Sequence, residues 1–184
     1  MRFHGAFFLI LGSFLAMPQA QAADAAKHLE VYLSRQKLVA AHGGKVLKTF
    51  PVSTSRFGAG NLLNSEKTPL GRHRIAQKIG AGAPVNTIFK NRVDTRSVSA
   101  VNLSDQPAVE DRITSRILWL EGLEPGVNRG KGVDSHRRQI YIHGTPDEGL
   151  IGRPASHGCI RMRNADVVQL FDWVEVGTVV TIYP

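Results

Sequence analysis

Residues 155–161 read Ala155-Ser156-His157-Gly158-Cys159-Ile160-Arg161. The stretch holds the chain's one cysteine, and a helix signal follows it directly. Asn164 is suited to an N-cap, and Asp166 falls in the first turn, where the helix dipole favours an acid. Val167, Leu170, Phe171 and Val174 recur at i, i+3, i+4 and i+7, one apolar face. Gly177 is suited to close the helix, and Thr178–Tyr183 reads as a β-branched strand. No other segment carries so clear a helical period.

Upstream of that stretch the signals are β. Leu29, Val31 and Leu33 alternate with polar residues, as in a half-buried strand. Ser34–Gln36 is a turn, Lys37–Ala41 its hairpin partner, and His42–Gly44 turns into Lys45–Val52. Residues 53–71 are rich in turn formers and read as a long loop. His73–Ile79 alternates again. Residues 91–110 look irregular, Arg112–Leu120 reads as a strand, and Glu121–Arg138 reads as a loop. Gln139–Ile142 is a short strand that ends at His143-Gly144-Thr145. The expected fold class is mainly β, sandwich-like, with one helix after the cysteine loop.

The chain has 184 residues and 42% hydrophobic content, which suits a single globular domain. Its first 22 residues carry a basic start at Arg2, an apolar run over Ala6–Met17 and an Ala20-Gln21-Ala22 cleavage pattern. We read 1–22 as a secretory signal peptide, too short for a membrane span, and 23–184 as the domain. The expected location is the periplasm, with no membrane span after cleavage. Setting aside Arg2 leaves 22 basic against 15 acidic side chains. That balance suits an anionic polymer, and equally a soluble surface with surplus lysine. The basic residues form no clustered helix with interleaved aromatics, so no nucleic-acid partner is expected.

A single thiol in an exported chain cannot form an internal disulfide. It is either buried and inert or kept for its chemistry. His143 and His157 are candidates to take its proton. Gly158 allows a turn in which successive N–H groups converge, as in an oxyanion site. Arg161 is suited to a carboxylate, and Thr145 and Ser156 can orient a histidine. Residues 154–158 lack the first glycine of a serine nucleophile elbow. His143, His157 and Cys159 also make a conceivable three-ligand zinc site. These readings stay open on residue chemistry alone.

Taken together, Ile142-His143-Gly144-Thr145 and Ser156-His157-Gly158-Cys159-Ile160-Arg161-Met162 resemble the signature of the L,D-transpeptidase catalytic-domain family (YkuD type). Thr68-Pro69-Leu70-Gly71 resembles that family's Thr-Pro-x-Gly element, and the likeness runs from about Leu29 to Tyr183. It implies an acyltransferase with Cys159 as nucleophile and His143 as base. His157 and Gly158 would shape the site and its oxyanion-holding amides. Ser156, Gly144, Thr145 and Arg161 would support or bind substrate. The implied partner is a peptidoglycan stem tetrapeptide. The acceptor would be a second stem, a lysine of an outer-membrane protein, or water in an L,D-carboxypeptidase-type trimming. A non-catalytic wall-binding protein is the other alternative. No cofactor and no metal are implied. His73, just after the Thr-Pro-x-Gly element, is expected to be a satisfied surface histidine.

Overall fold

The computed structural model describes Met1, residues 26–108 and residues 110–184. The leader read over 1–22 therefore lies, Met1 apart, outside the described residues. The elements are β1 (His28–Tyr32), β2 (Lys37–His42), β3 (Lys45–Pro51), β4 (Gly71–Ile79), β5 (Thr87–Lys90), β6 (Val93–Val98), β7 (Ile113–Gly122), β8 (Tyr141–Gly144), a 3₁₀ turn (Glu148–Leu150), β9 (Ile160–Met162), α1 (Asn164–Trp173) and β10 (Val179–Tyr183). The protein is mainly β, with one α-helix among the described residues.

The strands run in the order β3-β2-β1-β10-β4-β7-β5-β6. β7 also carries β8, and β8 pairs in parallel with β9. Alternation along β7 to β9 sorts side chains onto two faces. Leu118, Leu120, Ile142, Ile160 and Met162 enter the main core. There they meet Leu29, Val31 and Val180 from the first strands and Val167, Leu170 and Phe171 of α1. Ile117, Trp119, Tyr141 and Cys159 turn to the opposite face, where Phe89 joins them in a second cluster. The thiol therefore belongs to the face away from the helix.

Several elements differ from the sequence reading. β5 and β6 form a hairpin that overlaps the stretch read as irregular. Every residue of β6 is exposed, so no buried alternation marks it. The legible signal was the turn, since Asn91 and Arg92 both have positive φ, 51° and 68°, the pattern of a two-residue hairpin. β9 has three residues and lies inside the cysteine motif. The thiol thus precedes a strand, and the helix comes only after it.

The helix start also differs. Arg163 is the N-cap and makes no side-chain cap. Asn164 is the first helical residue and is buried. Its backbone N–H and its Nδ2 both donate to Glu148 Oε1, each at 2.8 Å. A carboxylate there satisfies orphan donors and meets the positive end of the helix dipole. The Asn164 Nδ2 also donates to the Thr145 carbonyl at 2.8 Å, and its Oδ1 accepts from the hydroxyls of Thr114 and Ser115 at 2.6 Å each. One amide thereby ties α1, β7 and the segment after β8. At the far end Val174 caps the helix, and Gly177 sits beyond it, donating to the Ile75 carbonyl at 2.8 Å.

His73 is not a surface residue. Its ring is fully buried, with Nδ1–H donating to the Gly71 carbonyl at 3.0 Å and Nε2 accepting from Ser135 Oγ at 2.9 Å. Gly71 itself has φ +94°, and an added Cβ would lie 2.0 Å from the Glu124 carboxylate. Both constraints anchor the start of β4.

Replacing Asn164 by Ala leaves the Thr145 carbonyl, the Glu148 carboxylate and two hydroxyls short of partners. Unmet buried groups cost about 1–3 kcal/mol each. We expect Asn164→Ala to lose about 3 kcal/mol or more by urea unfolding, with the m-value unchanged; a loss under about 1 kcal/mol contradicts this role.

Candidate active site

The parallel register of β8 on β9 sets Ile142 opposite Ile160 and His143 opposite Arg161. Tyr141, His143, Cys159 and Arg161 then share one face, two residues apart along each segment. The Cys159 Sγ donates to the Gln139 carbonyl at 3.4 Å and accepts the Tyr141 N–H at 3.4 Å. His143 is buried, and its Nδ1 lies 2.7 Å from the Gly144 carbonyl. A carbonyl only accepts, so Nδ1 carries the proton and Nε2 keeps its lone pair. Gly144 thus fixes the tautomer of the ring that precedes it. It is also a packing glycine, for an added Cβ would lie 2.6 Å from the Thr114 carbonyl.

Both members of the pair rest uncharged. Burial lowers His143 to about 4, against the pull of Asp111 and the Gly144 carbonyl and with help from Arg161. The thiol is only partly exposed. Desolvation pushes it up to about 11; the Tyr141 N–H opposes this, Asp111 adds to it, and Arg161 and Arg138 oppose it. The neutral thiol, held by the Gln139 carbonyl and the Tyr141 N–H, shares a face with the neutral imidazole, a resting state in which the proton must pass to Nε2 before attack.

The turn before the thiol is built from Ser156. Its Oγ accepts the Gly158 N–H at 3.2 Å and donates to the Cys159 carbonyl at 2.6 Å. The serine is fully buried, and its one hydroxyl proton is spent within the turn. Gly158 has φ +123°, and an added Cβ would sit 3.3 Å from the Lys67 carbonyl. Its N–H is taken by Ser156, while the Cys159 N–H has no acceptor among the described residues. Among the described residues the uncommitted donors of this turn are therefore the amides of His157 and Cys159. Thr145 is likewise buried, its hydroxyl accepting the Asp147 N–H at 3.2 Å.

His157 does not join the pair. Its side chain is exposed, with Nδ1 donating to Asp111 Oδ2 at 3.3 Å and Nε2 accepting from Arg56. The zinc reading needed His143, His157 and Cys159 to converge, and among the described residues no group of three such ligands does. Arg161 is not presented to solvent. Its side chain is 3% exposed and its Nη2 is ion-paired with Asp111. Its Nε and Nη1 have no partner among the described residues.

Asp111 and Arg56 were missed from sequence. Asp111 stands in an irregular stretch before β7 and carries no motif. The Arg161 guanidinium and the rings of His143 and His157 hold its carboxyl below the usual range, although partial burial opposes them. A cavity of about 290 Å³ lies along Gln139, whose carbonyl accepts from the thiol, and is lined also by Leu63, Glu66, Arg137, Arg138 and His157. Arg138 spans it, donating to the carbonyls of Gly60 at 3.1 Å and Lys67 at 2.5 Å. Thr68 anchors the same loop by accepting the Ser55 N–H at 3.0 Å.

The family model of the L,D-transpeptidase catalytic domain, YkuD, matches residues 26–182, and the chain belongs to that family. The YkuD protein of Bacillus subtilis (strain 168), named as an L,D-transpeptidase, is 38% identical over 113 residues, 60% of this chain and 65% of that one. YqjB of the same organism, also so named, is 51% identical over 53 residues, 28% of each chain. The matched lengths are under two thirds of both relatives. Among solved structures, L,D-transpeptidase 3 from Mycobacterium tuberculosis, in complex with a faropenem-derived adduct, superposes with a TM-score of 0.54 at 18% identity, covering 86% of this chain and 60% of that one. An L,D-transpeptidase from Mycobacterium smegmatis gives 0.52 at 18%, covering 87% and 59%. These superpositions establish the fold.

Two titrations follow from the buried imidazoles and the thiol. His73 and His143 are both lowered to about 4 from 6.5. The unfolded chain binds protons that the folded one refuses, so stability is complete above pH 6.5 and is lost as pH falls toward 4. Each ring contributes at most about 3 kcal/mol to that loss. The urea midpoint should fall steadily from pH 7 to 4.5, and a flat profile contradicts the burial of neutral imidazoles. Alkylation of Cys159 by iodoacetamide should keep rising up to about pH 11; a plateau reached by pH 8 would show a thiolate already formed.

Proposed function

We propose that this chain is an exported cysteine L,D-transpeptidase acting on peptidoglycan stem tetrapeptides, with residues 1–22 as its removable signal peptide and the periplasm as its location. The observation that carries the reading is the shared face of Cys159 and His143, with the imidazole tautomer fixed so that Nε2 can accept a proton. Membership of the family supplies the substrate class.

In this reading the Cys159 proton passes to His143 Nε2, and the thiolate attacks the carbonyl between the third stem residue and terminal D-alanine. The new C–S bond forms as negative charge collects on the carbonyl oxygen. The Cys159 N–H, without an acceptor among the described residues, supplies a donor for it in this reading. The C–N bond then breaks, and the leaving D-alanine amine takes the proton from Nε2. A thioester remains on Cys159. An amine acceptor then gives a proton to Nε2 as its nitrogen attacks the thioester, the C–S bond breaks, and the departing Cys159 thiolate takes that proton from Nε2, completing the transfer to a second stem or to a protein lysine. Arg137 and Arg138 at the adjoining cavity supply positive charge for stem carboxylates, a task the buried Arg161 is poorly placed to perform. Among the described residues no helix is long and apolar enough to cross a membrane.

The test is intact-mass analysis of the protein mixed with purified tetrapeptide muropeptides. The expected outcome is D-alanine release with a transient adduct on Cys159. The resolved product reports whether an amine or water accepts. Cys159→Ala should abolish release while keeping the fold, and His143→Ala should slow acylation by about 10²-fold or more. Unchanged release by Cys159→Ala would refute the mechanism.

A further inference from the structure

The mechanism asks His143 to become positively charged in a poor place for charge. The ring is buried, and the guanidinium of Arg161 lies opposite it on the next strand. Arg161 is itself 3% exposed. A buried imidazole beside a buried cation is a weak base unless something offsets both terms. The Gly144 carbonyl offsets part of the first through its bond with Nδ1–H. Only one carboxylate is in reach of both groups among the described residues, and it is Asp111.

Asp111 is held by two different segments. Its Oδ2 is ion-paired with Arg161 Nη2 on β9 and accepts from His157 Nδ1 in the cysteine turn at 3.3 Å. His157 is held in turn by Arg56 from the loop after β3. The carboxylate is thus fixed by the residues that flank the thiol on either side. Among the described residues, the other groups that act on the thiol are Tyr141 on β8, whose hydroxyl accepts from Arg92 at 3.0 Å, and Arg138 at the cavity edge. Neither bears negative charge at neutral pH.

We propose that Asp111 is a positioning residue for the Cys159–His143 pair: anchored on Arg161 and His157, its carboxylate cancels the buried guanidinium and favours the charged imidazole that forms when the thiol gives up its proton. The inference builds on the transpeptidase reading of the site, but it concerns the basicity of His143 and can be measured without substrate. Asp111 touches no reacting atom. It acts through His143, and it closes the chain Arg56–His157–Asp111–Arg161 across the mouth of the site.

The test follows the His143 ring by proton NMR between pH 3 and pH 8, its resonance assigned with His143→Gln. In Asp111→Asn the midpoint should fall by about half a unit or more, because the imidazolium loses its counter-charge while Arg161 remains. Asp111→Glu should recover most of the shift. Asp111→Asn with Arg161→Met removes both charges, and its midpoint should lie between the parent and Asp111→Asn. An unchanged or raised midpoint in Asp111→Asn overturns the proposal. If the unpaired Arg161 keeps that variant from folding, the double variant decides, and a midpoint at or above the parent's overturns the proposal. A role limited to tethering the loop would lower stability and leave the His143 titration in place. Failure of the muropeptide assay would count against the transpeptidase reading and would leave this titration result standing.

Discussion

The site depends on the parallel pairing of β8 with β9. That register sets His143 opposite Arg161 and brings the thiol of Cys159 to the face that carries Tyr141 and His143. A shift by one residue would turn the thiol into the main core and Ile160 out of it, since strand side chains alternate. The apolar partners Ile142, Ile160 and Met162 prevent the slip, because all three are fully buried in the main core. The core face therefore holds the reactive face in place. The Asn164 amide strengthens this by tying the helix start to β7 and to the segment that links β8 to β9.

The turn before the thiol solves a second problem. A nucleophile must be exposed enough to meet substrate, yet held firmly. Ser156 supplies the hold, with one hydroxyl bridging the Gly158 amide and the Cys159 carbonyl. Gly158 supplies the backbone angle and the room beside Lys67. These bonds consume donors that sequence reasoning had assigned to substrate. What is left among the described residues is sparse: the amides of His157 and Cys159, one imidazole nitrogen and one thiol. The charged groups stand a layer further out, where Asp111 and Arg161 neutralise each other beside the imidazole.

Much of this was legible in the sequence. The alternation of Leu29, Val31 and Leu33 and the 3.6-residue period of Val167, Leu170 and Phe171 gave β1 and α1 closely. Cys159 and His143 stood out because their motifs surround them. The rest lacked local signals. β6 has no buried face, and β9 is too short to show a period. Asn164 reads as a cap by type, whereas its buried amide answers to Thr114, Ser115 and Glu148, all distant in sequence. His73 gave no hint that Ser135 would meet it. Asp111 sits in an unpatterned stretch, and its meaning comes only from Arg161 being folded against it. Ser156, Thr145 and Arg161 were singled out as reactive or binding residues. The structure shows what each bonds within the scaffold: Ser156 the turn, Thr145 the Asp147 N–H, and Arg161 the Asp111 carboxylate, with Arg161 Nε and Nη1 left without a partner among the described residues.

The most direct test of the account is a crystal structure of the protein after acylation by a stem tetrapeptide. The account predicts a thioester on Cys159 Sγ. Its carbonyl oxygen should accept from the Cys159 N–H, and His143 Nε2 should face the position of the departed amine at about 3 Å. An adduct on another residue, or an imidazole turned away from the thioester while Nδ1 has left the Gly144 carbonyl, would contradict it.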